Sequence, residues 1–300
     1  MGKRKNNSTG SLKGFLILIL AIAGALYFYQ SSTIPSTSGK LEEQVEKTID
    51  KAKQQLGSFA SDTETKNTKS PQNISSKLEI PVSLSKRDEI KLTRTAFTLS
   101  YNNFYKTPNW VAWELTRSET TGKGERKSKF LPDPNLPEPR VEHSDYTHSG
   151  YDRGHMAPAA DMKWNEKAMQ ESFYMSNICP QNQKLNRDDW GDLEEACRQW
   201  AKKYGSIYIA CGPIYDNPAP KRIGKHKVAV PDRFFKVALI YNRKNPIAMG
   251  FLFDNKAGHR PLTKYMVTVD SIENITGLDF FSRLPDNVEN RIEAIIPSLP

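Results

Sequence analysis

The sequence predicts an α+β fold. Five segments, 90–101, 109–115, 206–215, 233–241 and 246–253, show the alternation and the β-branched or aromatic content of strands. Between the second and third lies a helical pattern: Leu193, Ala196, Cys197, Trp200, Ala201 and Tyr204 share one face, and Gly205 supplies the stop. The apolar fraction of 37% is enough for a core of ordinary size.

The chain of 300 residues allows one large domain or two ordinary ones, and no internal repeat divides it. Its net charge of +9 favours a polyanionic partner or an anionic membrane surface, although many soluble proteins are equally basic. Cys179, Cys197 and Cys211 have no C-x-x-C spacing, which argues against a zinc site. Their odd number excludes a framework built on disulfides alone. One bridge plus one thiol stays open, and three buried small apolar side chains are favoured.

Taken in order, Lys3, Arg4, Lys5 and Lys13 precede an apolar run from Phe15 to Tyr29, and no Lys or Arg follows until Lys40. That asymmetry keeps the N-terminus in the cytoplasm and sends the rest across the membrane. Residues 1–30 are therefore expected to be a membrane anchor. The competing cleaved signal would use Ala21-Ile22-Ala23. Residues 31–79, rich in Ser, Thr, Lys, Gln and Glu, form a flexible polar linker in which Leu41, Val45, Ile49 and Leu56 allow a short amphipathic helix.

The globular part, residues 80–300, opens with strands 90–101 and 109–115 joined by a turn near Pro108. A polar loop from Ser118 to Lys129 follows, carrying Arg126 among lysines, then a Pro-rich stretch from Leu131 to Pro139. Beyond the helix, Lys221, Arg222, Lys225, His226 and Lys227 make a basic loop that suits phosphates or a solvated turn.

The chemistry gathers between residues 151 and 194. Asp152-Arg153-Gly154-His155 sets a histidine beside an arginine and a glycine, and such a histidine can act as a general base near neutral pH. Ser176-Asn177-Ile178-Cys179-Pro180-Gln181 follows, then Leu185-Asn186-Arg187-Asp188-Asp189-Trp190, with Glu194 eight residues after Asn186. An asparagine at a helix start with a later carboxylate can hold a hard cation partly through water. Asn186 is equally suited to cap the helix, and local pattern cannot separate the two uses of one side-chain oxygen. A base, an arginine, one metal-binding amide and an acidic partner are what water needs to attack a phosphodiester.

These three boxes, in this order and within about forty residues, resemble the DNA/RNA non-specific endonucleases, the ββα-metal group that includes endonuclease G. The resemblance covers residues 80–300. It implies a mostly antiparallel sheet carrying a ββα-metal finger, and Mg2+-dependent hydrolysis of DNA and RNA without sequence preference, with Mn2+ as a substitute ion. By match to the motif, His155 activates water, Asn186 holds the metal and Glu194 orients water at the metal. Asn177 supports the site by hydrogen bonding and Asp152 orients its neighbours. Arg126 matches the family's upstream arginine that stabilises transition-state charge. Arg153 either clamps phosphate or pairs with Asp152.

Relatives are often homodimers, a state these residues leave open. The resemblance and the N-terminus together place the enzyme at the membrane on its periplasmic or extracellular side. Two other functions compete: a membrane-tethered nucleic-acid-binding module without catalysis, and a phosphodiesterase of the same fold acting on nucleotides. Erosion of the boxes would favour the first, yet His155, Asn186 and Glu194 all stand in place.

Overall fold

A computed structural model describes residues 77–125, 129–242 and 244–300. The anchor segment, the linker up to residue 76 and Arg126 lie outside the described residues. Among the described helices, none is long and apolar enough to cross a membrane.

The strands in chain order are β1 (Val82–Ser83), β2 (Ile90–Thr93), β3 (Thr98–Asn102), β4 (Thr107–Thr116), β5 (Asp152–His155), β6 (Ile178–Gln181) and β7 (Ser206–Ile214). They continue with β8 (Arg222–Ile223), β9 (Val228–Ala229), β10 (Arg233–Ile240), β11 (Ile247–Asp254), β12 (Met266–Val267) and β13 (Leu278–Asp279). The α-helices are α1 (Glu166–Ser172), α2 (Gln183–Arg187), α3 (Asp189–Tyr204), α4 (Val269–Thr276) and α5 (Asp286–Glu293).

Seven strands form one sheet in the order β12-β11-β10-β7-β4-β3-β2, with every neighbouring pair antiparallel. The central strands are apolar on both sides because both faces are covered. Trp113, Ile209, Cys211, Phe234 and Met249 pack with Leu193, Cys197, Trp200 and Ala201 of α3. Trp110, Ala210, Phe235, Val237 and Ala248 pack with Val269, Ile272 and Ile292 of α4 and α5. This three-layer α+β arrangement agrees with the fold class predicted from the strand and helix patterns.

Three local expectations are corrected. The segment 90–101 is not one strand but a hairpin, β2 and β3, turning through Arg94–Phe97, where the Arg94 amide donates to the Phe97 carbonyl at 2.8 Å. The turn contains neither Gly nor Pro and is held from afar: the Glu171 carboxylate accepts from the Thr95 amide at 2.7 Å. The turn expected near Pro108 lies just before it, and Pro108 itself is the second residue of β4. The chain reverses at residues 102–107, where Asn102 Oδ1 accepts from the amides of Phe104 and Tyr105. Pro108 pairs with Tyr101 beside a register shift, where its missing N–H breaks no regular ladder.

Second, the competing reading of Asn186 as the cap of the long helix fails. It lies within the short helix α2, whose cap is Asn182 Oδ1, accepting from the amides of Lys184 and Leu185. Asp188, at φ −101° and ψ −100°, separates α2 from α3. Gly205, at φ 100°, ends α3 with its amide on the Ala201 carbonyl. Tyr204 was expected on the buried face and is instead exposed at the helix end, beneath the Lys203 ammonium. The three cysteines are free and buried, and burial pushes the thiols of Cys197 and Cys211 up to about 12.

Candidate active site

The three sequence boxes fold into one unit. β5 pairs antiparallel with β6 in the register Asp152↔Gln181, Arg153↔Pro180, Gly154↔Cys179 and His155↔Ile178. The helix pair α2–α3 follows directly. Gly154 is required by that pairing, because a Cβ there would stand 2.2 Å from Gln181 Oε1 and 2.6 Å from its Cβ.

Alternation along β5 divides its side chains between two sides. Arg153 and His155 both lie against Phe130: the His155 ring centroid is 5.3 Å from that of Phe130, and the Arg153 guanidinium is 5.7 Å above it. Phe173 meets the His155 ring edge to face at 4.9 Å. The imidazole is thus oriented by two aromatic rings. Phe130 ends the loop that carries Arg126 in the sequence, and nothing in the sequence singled it out.

Arg153 also donates to the His143 carbonyl at 3.0 Å and lies 5.7 Å from the Tyr146 ring. Desolvation lowers the Arg153 pKa. His143 is likewise lowered, by desolvation first and by the Arg153 charge second. His143 is therefore a second, neutral-leaning imidazole in the same neighbourhood, also missed by sequence reasoning.

Asp152 faces the other way. It accepts from Asn186 Nδ2 at 3.1 Å and from Arg187 Nε and Nη2 at 3.0 and 3.2 Å. The choice between two roles for Arg153 narrows here, since the ion pair of Asp152 is with Arg187 and not with Arg153. Donation to Asp152 fixes the Asn186 amide so that its nitrogen is occupied and its carbonyl oxygen is the atom available to a cation. Among the described residues, no three His, Cys, Asp or Glu side chains converge at this hairpin. One oriented amide oxygen therefore suits an ion that keeps most of its waters, as Mg2+ does.

Asn177 is fully buried and works on the backbone. Its Oδ1 accepts from the Ala157 amide at 3.0 Å, and its Nδ2 donates to the carbonyls of Ala157 and Ser172, both at 2.9 Å. The Met156 amide donates to the Asn177 carbonyl as well. These bonds lock the chain immediately after His155.

Glu194, partly exposed, sits on α3 beside a polar cluster that includes the buried Lys236 and Asp161. Its charged neighbours are Lys236, Asp161 and Arg198. Lys236 is 1% exposed, and its ammonium lies 4.1 Å from the Trp190 ring centroid. Asp161 accepts from Trp113 Nε1 at 3.1 Å and from Arg198 Nη1 at 3.0 Å. Lys236 and Arg198 oppose these two acids, with Arg198 also paired to Glu195 at 3.0 Å. Desolvation nonetheless outweighs the Lys236 and Arg198 charges at Glu194 and raises its carboxyl to about 7. Lys236 carried no sequence signal, since β10 reads as an apolar strand, and nothing in the sequence marked Asp161 or Arg198.

The basic loop is an ordered hairpin, β8–β9. Its His226 Nδ1 is 2.7 Å from Asp145 Oδ2, and Arg222 donates to the carbonyls of Phe104 and Lys227. Those two side chains are used internally. Lys221, Lys225 and Lys227 are exposed, and Lys221 lies 5.0 Å from the ring of Tyr151, the residue before Asp152.

A two-stranded hairpin followed by a helix, mounted on an antiparallel sheet, with His155 on the strand and Asn186 on the helix, is the ββα-metal nuclease fold. The model of the DNA/RNA non-specific endonuclease family matches residues 74–287, and the chain belongs to that family.

Among curated relatives, the mitochondrial nuclease EXOG of Xenopus laevis is 38% identical over 202 residues, 62% of this chain and 56% of that protein. Nuclease C1 of Cunninghamella echinulata is 38% identical over 210 residues, 64% of this chain and 83% of its own. A nuclease of Nostoc sp. is 34% identical over 219 residues, 69% and 78% respectively. The chain thus spans little more than half the length of the Xenopus relative. The solved structure of EndoG in its complex with EndoGI is similar with a TM-score of 0.64 and 30% identity, covering 73% of this chain and 94% of that one.

Proposed function

We propose that this chain is a metal-dependent endonuclease that hydrolyses the phosphodiester bonds of DNA and RNA without sequence preference. The observation that carries this is strand β5, which sets Arg153 and His155 against Phe130 on one side. On the other side Asp152 holds Asn186 by its amide nitrogen. His155, as the neutral imidazole, takes a proton from the attacking water. Arg153 uses one nitrogen on the His143 carbonyl and keeps further N–H groups for a phosphate oxygen.

Asn186 would hold Mg2+, or Mn2+ in its place, through its carbonyl oxygen, and the ion would supply Lewis-acid stabilisation of the charge that builds at phosphorus. Glu194 acquires its charge near neutral pH and orients a water by accepting its hydrogen bond. Arg126 adds positive charge toward the transition state. Contacts made to the phosphate backbone carry no base information, which accounts for the absence of sequence preference. The exposed lysines of the β8–β9 hairpin extend the positive surface beside Tyr151.

The test is digestion of supercoiled plasmid and of RNA by the full chain, with Mg2+, with chelator, and as His155→Ala. Cutting of both polymers that needs the metal and the histidine is the expected result. A folded chain that binds DNA and never cuts it with Mg2+ or Mn2+ overturns the proposal in favour of a binding module.

The same reading takes residues 1–30 as a single-pass anchor, 31–79 as its linker and 80–300 as the nuclease domain on the non-cytoplasmic side. Protease accessibility on intact cells checks the side of the membrane. A shortened, soluble chain would replace the anchor by a cleaved signal. Sedimentation of the purified chain checks the homodimer.

A further inference from the structure

On the sheet face covered by α4 and α5, five carboxyl groups gather: Asp270 and Glu273 from α4, Asp279 from β13, and Glu289 and Glu293 from α5. Asp270, Glu273 and Glu293 each offer an oxygen, and the three lie within 4.8 Å of one another. Glu293 is 3% exposed, and its Oε1 has no hydrogen-bond partner. Glu273 spends one oxygen on the Phe280 amide at 2.8 Å and keeps the other.

The groups that act most strongly on Glu293 are Glu273, Glu289, Asp270 and Asp279, all acidic. For Glu289 they are Asp279, Glu273 and Asp286, acidic again. The contrast with Glu194 is instructive. There, Glu194 and the buried Asp161 are met by Lys236 and Arg198. Here a nearly inaccessible carboxylate faces other carboxylates and no base among these neighbours. Burial of an uncompensated carboxylate is strongly unfavourable, so such a group takes a proton, is paired or binds a metal.

We propose that Asp270, Glu273 and Glu293 bind one hard divalent cation, Ca2+ in preference to Mg2+, which fastens the C-terminal helix α5 to α4. Carboxylates from two helices, joined without a rigid octahedral frame, match the irregular oxygen shell of Ca2+ better than the strict geometry of Mg2+. Asp279 and Glu289 stand behind the three as further acidic groups. The site is independent of Asn186, which belongs to the finger on α2.

The experiment uses the full chain carrying Asn186→Ala, so that an ion at the finger does not contribute, stripped with chelator and titrated with Ca2+ by calorimetry and by thermal melting. Binding of a single Ca2+ with a rise in melting midpoint is expected, and Glu293→Gln and Asp270→Asn should each weaken the affinity by about tenfold or more. No binding at millimolar Ca2+, or binding unchanged in both variants, overturns the site. If Glu293→Gln fails to fold, Asp270→Asn at the more exposed ligand decides alone. An equal midpoint rise with Mg2+ overturns the preference for the larger ion.

Discussion

Replacing Asp152 by Ala separates orientation of the metal ligand from charge pairing at the surface. Asp152 accepts one bond from Asn186 and two from Arg187. The Arg187 side chain is 65% exposed, so that ion pair is worth about 0–1 kcal/mol. The Asn186 bond is charge-assisted and part-buried, in the range of about 1.5–3 kcal/mol. Loss of a partner that orients a metal ligand ordinarily weakens metal affinity ~10–100-fold. At ~1.4 kcal/mol per tenfold, that is about 1.4–2.8 kcal/mol, so the two routes agree.

Asp152→Ala should therefore raise the half-saturating Mg2+ of plasmid cleavage by about 10–100-fold. Arg187→Met should raise it less than about fivefold, the equivalent of ~1 kcal/mol. The assay is initial rate against Mg2+ concentration for both variants. An unchanged Mg2+ requirement in Asp152→Ala, with only the maximal rate reduced, would refute the orienting role. Equal shifts in the two variants would show that the ion pair, not the amide, matters.

Four further outcomes are expected. Gly154→Ala forces a methyl into Gln181, which is fully buried, and should cost about 1–3 kcal/mol in urea unfolding; wild-type stability would contradict the close approach. Lys236→Met removes the base that lowers the Glu194 carboxyl, so the carboxyl rises above about 7 and the acid limb of the kcat/KM profile moves to higher pH; an unmoved limb would exclude Glu194 as the group that must ionise. Because burial holds the Glu194 proton more tightly in the folded chain, its contribution to stability is present at low pH and is lost as pH rises from 4.5 through about 7; Glu194→Gln should flatten that part of the stability–pH curve, and an unchanged curve would contradict the raised carboxyl. Lys221→Glu should weaken DNA binding for all sequences alike and reduce the salt dependence; a loss confined to particular sequences would argue against phosphate tracking.

What could be read without coordinates was whatever the chain states locally. The apolar strands, the face of α3 with its Gly205 stop, and the three boxes around His155, Asn177 and Asn186 are each encoded within a few neighbouring residues. The hairpin at Arg94–Phe97 escaped because its turn has neither Gly nor Pro and is braced by Glu171, 76 residues away from Thr95; its one local trace is the shift of the apolar phase from Ile90 and Leu92 to Phe97, Leu99 and Tyr101.

Asn186 looked like a cap because the break at Asp188 depends on backbone angles that composition does not announce. Lys236 is a single charged residue in an apolar strand. Only the pairing of β10 with β7 and the packing of Trp190 put it beside Glu194. The same limit hid the approach of α4 to α5, where Asp270 and Glu293 are far apart in sequence and close in space. Periodicity reports which side of an element is buried. Which charge lies opposite is set by strand register and helix packing, and the energy of a buried charge depends on that partner far more than on its neighbours in the chain.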